Sequence, residues 1–85
     1  MAGYEILFKE SVYKEFKSLP KIDLKKILSK IERLADDPRP IGSQKLTGFE
    51  LYRVRQGQYR IVYSIQDNQL LIHVVKVGHR KDMYR

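Results

Sequence analysis

Three strand-like segments joined by very short links constrain this chain more than any other feature. The segments are LYRVRQ (51–56), YRIVYSI (59–65) and LLIHVVKV (70–77). Alternation with a period of two is typical of a strand whose two faces meet different surroundings. The links QGQ and DNQ contain residues that tolerate tight turns, and such short links require antiparallel neighbours. The sequence therefore predicts a three-stranded antiparallel meander.

The N-terminal half has the pattern of one strand followed by two helices. YEILFK (4–9) alternates like a strand, and the spacing of the apolar residues that follow predicts a helix over 10–19. Pro20 then ends the first helical pattern. It suits the first turn of a second helix over 21–36, because that position needs no backbone donor. The apolar stripe of that helix consists of Leu24, Ile27, Leu28, Ile31, Leu34 and Ala35. We expect an α+β fold with two N-terminal helices packed on one face of a small, mostly antiparallel sheet.

Length and composition limit the classes of protein to consider. The 85 residues are enough for one domain, 1–85. The chain has 0 cysteines, which excludes a disulfide framework and a thiolate metal site. It lacks an apolar run approaching the ~18 residues of a membrane span, and its N-terminus does not resemble a signal peptide. We expect a soluble, cytoplasmic protein with no membrane partner.

The positive charge is concentrated in the C-terminal half. The chain has 17 Lys and Arg against 10 Asp and Glu, a net charge of +7. Residues 1–50 contain ten cations and eight acids, whereas residues 51–85 contain seven cations and two acids. A basic excess of this kind favours a polyanion site, although many small domains carry such a charge for solubility alone.

Strand parity predicts where the arginines meet. Arg53 and Arg55 are two residues apart and project from the same face of one strand, about 7 Å apart along the chain. If the pairing is regular, Arg60 joins them from the next strand, and Arg80 lies nearby at the end of the third. Like charges repel, so such a cluster costs stability unless an anion occupies it. The face opposite the helices is therefore a candidate phosphate-binding surface.

The ordered set of motifs resembles a known family. QKLTGFELYRVRQGQYRIVYSI followed by VVKVGHRKDMYR is similar to the RelE branch of the RelE/ParE toxin superfamily. The resemblance implies a type II toxin that a cognate antitoxin holds inactive. It also implies an endoribonuclease that cleaves mRNA in the 30S A site of the ribosome. The RNA 2′-hydroxyl would be the nucleophile, and neither metal nor cofactor would be needed.

The resemblance also assigns roles to individual residues. It implies catalytic roles for Arg60, Arg80, Tyr84 and His79, and RNA or phosphate binding for Arg53, Arg55 and Lys81. An arginine has a pKa above ~12 and cannot act as the general base, so the arginines are assigned to phosphate. A histidine side chain ordinarily titrates near neutral pH, and a tyrosine has a reference pKa of ~10, which neighbouring arginines would lower for Tyr84. Tyr84 is the preferred base or base-stacking group, with His79 as its rival.

Other functions remain open at this point. A ParE-like inhibitor of DNA gyrase would share the fold, and a non-enzymatic RNA-binding module would share the basic face. A metal site is rejected, because His79 and Asp82 supply only two ligands. Three tyrosines are expected to pack in the core or at strand edges rather than bind a ligand, namely Tyr52, Tyr59 and Tyr63.

Overall fold

The computed structural model describes residues 3–81 and confirms the α+β fold with two helices on one face of a sheet. The elements in chain order are β1 (Glu5–Phe8), α1 (Glu10–Lys17), α2 (Lys21–Leu34), β2 (Gln44–Lys45), β3 (Tyr52–Gln56), β4 (Tyr59–Gln66) and β5 (Leu71–His79). Neither helix reaches the length and apolarity that crossing a membrane requires.

The five strands form one sheet in the order β1-β5-β4-β3-β2. The predicted meander β3-β4-β5 is antiparallel throughout, as its short links require. β1 lies parallel to β5, with Glu5 beside Leu71 and Phe8 beside Val74. The two helices between β1 and the rest of the sheet provide the long crossover that a parallel pair needs. β4 is therefore the central strand, paired with β5 on one side and β3 on the other.

The core lies between the helices and one face of the sheet. Val12 of α1 and three residues of α2, Ile27, Ile31 and Leu34, are buried against it. Tyr63 is 0% exposed, and Tyr52 and Tyr59 pack against the same cluster, which confirms the core assignment of the three tyrosines. Of the other residues in the predicted stripe, Leu24 and Ala35 are half-buried and Leu28 is exposed. Leu28 lines a shallow groove with residues of β1.

A β-bulge interrupts the pairing of β4 with β5. Val62 pairs with Lys76, but Tyr63 pairs with Val74, so Val75 is the extra residue on β5. An extra residue reverses the alternation of side chains beyond it. Ile72 and Val74 therefore face the helices before the bulge, and Val77 and His79 face them after it.

Three local features differ from the sequence-based expectations. The two-residue strand β2 was not expected, and it pairs with the first residues of β3. Pro20 immediately precedes α2 instead of occupying its first turn, and its carbonyl accepts from the amide of Leu24. The third strand of the meander was expected to end at residue 77, but β5 continues to His79 and so includes Gly78. By contrast, Gly57 does occupy the predicted β3–β4 turn, with a positive φ of 63° that favours glycine.

A polar clamp joins the loop after α2 to the β4–β5 turn. Both terminal nitrogens of Arg39 donate to the carboxylate of Asp67, at 3.2 and 2.9 Å. The Tyr4 hydroxyl donates to the same carboxylate at 2.7 Å, and the Arg39 Nε donates to the Tyr52 hydroxyl at 3.2 Å. The clamp ties together the start of β1, the loop and the hairpin.

The clamp predicts a pH dependence of stability. The Arg39 guanidinium, with help from the Tyr4 hydroxyl, holds the pKa of Asp67 below its ordinary range. A lowered folded-state pKa stabilises the protein above the unfolded carboxyl pKa of about 3.9, and this contribution is lost as the pH falls through the folded value. Asp67→Asn should therefore lower Tm at pH 7, and the deficit should shrink towards roughly pH 2.

Thermal unfolding followed by circular dichroism at both pH values checks this expectation. Asp36→Asn is a matched control, because it removes an exposed carboxylate from the loop after α2, where Arg39 lies, without touching the clamp. It should change Tm little at either pH. A deficit in Asp67→Asn that stays constant down to the lowest pH would show that the charge of Asp67 is not what stabilises the fold.

Candidate nucleic-acid interface

Three arginines meet on the face of the sheet that points away from the helices. Arg55 of β3 lies directly opposite Arg60 of β4, and Arg53 lies opposite Val62. Directly opposed residues of antiparallel strands project from the same face, with Cα atoms about 4.5–5.5 Å apart. The residues Arg53, Arg55 and Arg60, called the arginine face below, thus come together as strand parity predicts.

Arg60 occupies the most enclosed position of the arginine face. It is only 5% exposed, which is unusual for a guanidinium. It lies on β4, between Arg55 on one side and Gly78 on the other. Gly78 contributes no side chain to this face of the sheet. Pairing with β3 on one side and β5 on the other fixes the backbone position of Arg60, and with it the position of its Cβ atom.

Arg53 contacts a residue that the sequence analysis did not identify. Its Nη2 donates to the side-chain oxygen of Gln44, which lies opposite it on β2. A depression of about 360 Å³ opens here, lined by Gly42, Gln44, Arg53 and Arg55. A strand of two residues carries no periodic signal in the sequence, and nothing else in the chain would have predicted Gln44.

Arg80 and Lys81 lie just beyond β5. The amide of Arg80 donates to the carbonyl of Gln58 in the β3–β4 turn at 2.8 Å. Gln58 is two positions from Arg60 along the chain, so the Arg80 backbone is anchored at the end of the sheet where Arg55 and Arg60 pair. Lys81 is exposed, and its amide donates to the His79 Nδ1 at 3.2 Å.

The structure does not bring His79 to the arginine face. His79 lies opposite Tyr59, and their rings meet edge to face with centroids 5.6 Å apart. Tyr59 belongs to the helix side of the sheet, where its hydroxyl donates to Asp23 at 3.2 Å. Partial burial, and then this hydrogen bond, raise the pKa of Tyr59. Tyr84, the other predicted proton-handling residue, lies outside the described residues.

His79 instead lines a cleft of about 270 Å³ at the junction of α1 and β5. Glu15 of α1 closes the wall of this cleft. One of its oxygens accepts from the amide of Val77 at 3.0 Å, and the other lies 3.5 Å from the Lys76 ammonium. The carboxylate thus satisfies a backbone donor of β5 beyond the point where β1 ends. Glu15 therefore joins α1 to β5, and its contacts indicate a role in stability.

The arginine face can bind a phosphodiester. A guanidinium presents a planar fork of donors that matches two phosphate oxygens, and it stays charged at every physiological pH. Arg55 and Arg60 are directly opposed on neighbouring strands, which is close enough for both guanidiniums to reach one phosphate. Arg53 lies two residues before Arg55 on β3, about 7 Å away on the same face. The repulsion among the three cations falls when an anion lies between them.

Comparison with known proteins gives a consistent assignment. A family model described as "ParE toxin of type II toxin-antitoxin system, parDE" matches residues 6–84. A putative RelE-like toxin protein of Escherichia coli is 36% identical over 86 residues, covering 95% of this chain and 90% of the relative. The mRNA interferase toxin RelE of Escherichia coli strain K12 is 30% identical over 82 residues, covering 93% and 85%.

A solved structure agrees with this assignment. The crystal structure of the archaeal RelE–RelB complex from Pyrococcus horikoshii OT3 matches with a TM-score of 0.83 at 30% identity. The match covers 94% of this chain and 98% of that chain. The chain therefore belongs to the RelE/ParE superfamily, as a RelE-like toxin of a type II toxin–antitoxin system.

Proposed function

We propose that this toxin is a ribosome-dependent mRNA endonuclease that cuts the message in the 30S A site and so inhibits translation in the cytoplasm. The observation that carries the proposal is the cross-strand pair of Arg55 and Arg60, with Arg60 enclosed on β4 and Gly78 beside it. The names of relatives at about 30% identity, which include an mRNA interferase toxin, support the same activity.

The proposed reaction is transesterification within the RNA and needs no metal ion. The 2′-oxygen forms a bond to the adjacent phosphorus while the bond from phosphorus to the 5′-oxygen breaks. The 2′-hydroxyl proton passes to a base, and the departing 5′-oxygen takes up a proton, which leaves a cyclic phosphate and a 5′-hydroxyl. The ribosome would hold the message close to the in-line geometry that this step needs.

Every predicted site residue except His79 has a role in this scheme. Arg60 and Arg80 bind the non-bridging oxygens and stabilise the charge of the phosphorane. Arg53, Arg55 and Lys81 hold the flanking phosphates. Tyr84 accepts the proton or stacks on a base, and the contact of the His79 ring with Tyr59 on the other face makes Tyr84 the preferred candidate.

The proposed protein partner is a cognate antitoxin. The matched Pyrococcus horikoshii structure is that of a RelE–RelB complex, and this chain has the same fold. An acidic or amphipathic antitoxin segment would relieve the repulsion within the arginine face and would block access of mRNA to it.

Inhibition of DNA gyrase is the second candidate, because the family model that matches carries the ParE description. A ParE-like toxin would act on a protein target and would need no RNA chemistry. Trapped DNA breaks would then accompany growth arrest, while translated mRNA would stay intact.

Primer extension on mRNA translated in a purified system distinguishes these candidates. The wild type should produce cuts in A-site codons, Arg80→Ala and Tyr84→Phe should lose them, and added antitoxin should suppress them. Wild-type protein that leaves translated mRNA intact but traps gyrase on DNA would replace this proposal with the second candidate. RNA binding without any cleavage would reduce the toxin to an RNA-binding module.

A further inference from the structure

The depression between β2 and β3 has the chemistry of an anion site. Its lining consists of Gly42, Gln44, Arg53 and Arg55, and none of these residues has a carboxylate. Arg55 is exposed, Gln44 is exposed, and Arg53 is half-buried, so a ligand can reach all three side chains from solvent. The depression extends from Arg55, which lies opposite Arg60, to Arg53 and Gln44 at the β2 side of the sheet.

The contact between Arg53 and Gln44 determines which way the Gln44 amide points. A guanidinium can only donate hydrogen bonds, so the Gln44 atom that faces Arg53 must be its oxygen. The amide nitrogen is then directed away from Arg53 with its two N–H groups available to a ligand. With its oxygen engaged, Gln44 contributes only donors to the depression, as Arg53 and Arg55 do.

We propose that this depression is a second phosphate subsite, in which Gln44 positions Arg53 and donates an amide N–H to an RNA phosphate oxygen. The inference rests on the proposed RNA-binding function and adds a subsite to it. Arg53 and Arg55 are about 7 Å apart along β3, a spacing similar to that of successive phosphates in a single strand. A strand whose scissile phosphate lies between Arg55 and Arg60 therefore places a neighbouring phosphate at Arg53.

The role of Gln44 is that of a positioning residue with one contact to RNA. An arginine side chain loses considerable rotamer freedom when it binds, and a fixed hydrogen bond removes part of that cost in advance. Gln44 is neutral, so its removal changes RNA affinity without changing the net charge of the protein. This property separates the proposed role from a general effect of basicity.

Binding of a short fluorescent 2′-O-methyl oligoribonucleotide to the purified full-length toxin tests the subsite, because this probe lacks the 2′-hydroxyl nucleophile and cannot be cleaved. Gln44→Ala should weaken binding about two- to tenfold, the share expected from holding one flexible side chain. Gln44→Glu should weaken it further, because a carboxylate neutralises Arg53. The slope of log affinity against log salt should then fall by about 0.7, the value of one single-strand phosphate contact.

Lys45→Ala is the matched control. Lys45 is the neighbour of Gln44 on β2, but it lies opposite Tyr52 on the other face and pairs with Glu50 at 3.5 Å. This variant removes a positive charge from the same strand and should weaken binding less than the neutral Gln44→Ala does. In a double-mutant cycle, Gln44→Ala should weaken binding less once Arg53 is already alanine, because the positioning share of its effect is then gone and only the direct amide contact remains.

Equal losses in Lys45→Ala and Gln44→Ala, or additive losses in the cycle, would overturn the subsite. The result is independent of the endonuclease proposal. If the wild type cuts translated mRNA and Gln44→Ala binds the probe normally, the subsite is wrong and the activity stands. If the wild type does not cut but the cycle with Arg53 is non-additive, the subsite stands and the endonuclease proposal is wrong.

Discussion

Arg60→Ala should reduce cleavage of ribosome-bound mRNA by roughly 10²- to 10³-fold, the usual cost of removing one preorganised donor from a developing negative charge. Arg60 is the member of the arginine face with the least exposure and a paired strand on each side. Its guanidinium works in surroundings poor in water, where a charge–charge interaction is stronger than at the surface. Primer extension with a time course measures the rate.

Two further variants show whether the loss concerns chemistry. Arg60→Lys keeps the charge but loses the planar fork, so it should recover only part of the rate. Lys25→Ala removes an exposed cation from α2 and should cleave like the wild type. Because Arg60 is buried, Tm must be measured for each variant. A folded Arg60→Ala protein that cleaves within about threefold of the wild type would remove Arg60 from the site.

Ile72→Ala should lower the free energy of unfolding by about 2–5 kcal/mol. Ile72 is 0% exposed and lies on β5 between Ile6 of β1 and Ile65 of β4. The truncation leaves a cavity where the parallel and antiparallel parts of the sheet meet. A domain of this size has only about 5–15 kcal/mol of stability, so we expect Tm to fall by roughly 10 °C or more.

Ile22→Ala is the matched control for this truncation. Ile22 is 66% exposed on α2, so the same loss of three carbons should change stability by no more than about 0.5 kcal/mol. Urea denaturation of both variants gives the comparison. A similar stability for the two variants would mean that the centre of β5 contributes less to the core than its burial implies.

The sequence predicted the arginine face because β3 and β4 keep strict alternation where the arginines occur. The common face of Arg53, Arg55 and Arg60 follows from alternation with a period of two and from one tight turn. Both features can be read directly from the sequence. The two helices could be predicted equally well, because their apolar residues repeat at helical spacing. For these elements the local pattern and the tertiary structure agree, so a pattern-based prediction succeeds.

The sequence could not predict the positions of His79 and Gly78 in the same way. Counted from Ile72 and Val74 with strict alternation, His79 would project from the arginine face. The bulge at Val75 reverses the parity, which turns His79 towards Tyr59 and Gly78 towards Arg60. A bulge depends on the fit between two strands and leaves no periodic signal. β2 was missed for a related reason, since two residues are too few to show a period.

The uneven support of the arginine face has a consequence for how such toxins can diversify. Arg60 has a paired strand on each side, whereas β2 pairs only with the first two residues of β3, so residues 54–56 form a sheet edge within the part of the chain that the structure describes. Substitutions in the β2 segment can therefore change the position of the Arg53 side chain while the centre of the sheet stays intact. Under the proposed function, natural variation at this margin would change RNA preference with little effect on the stability of the fold.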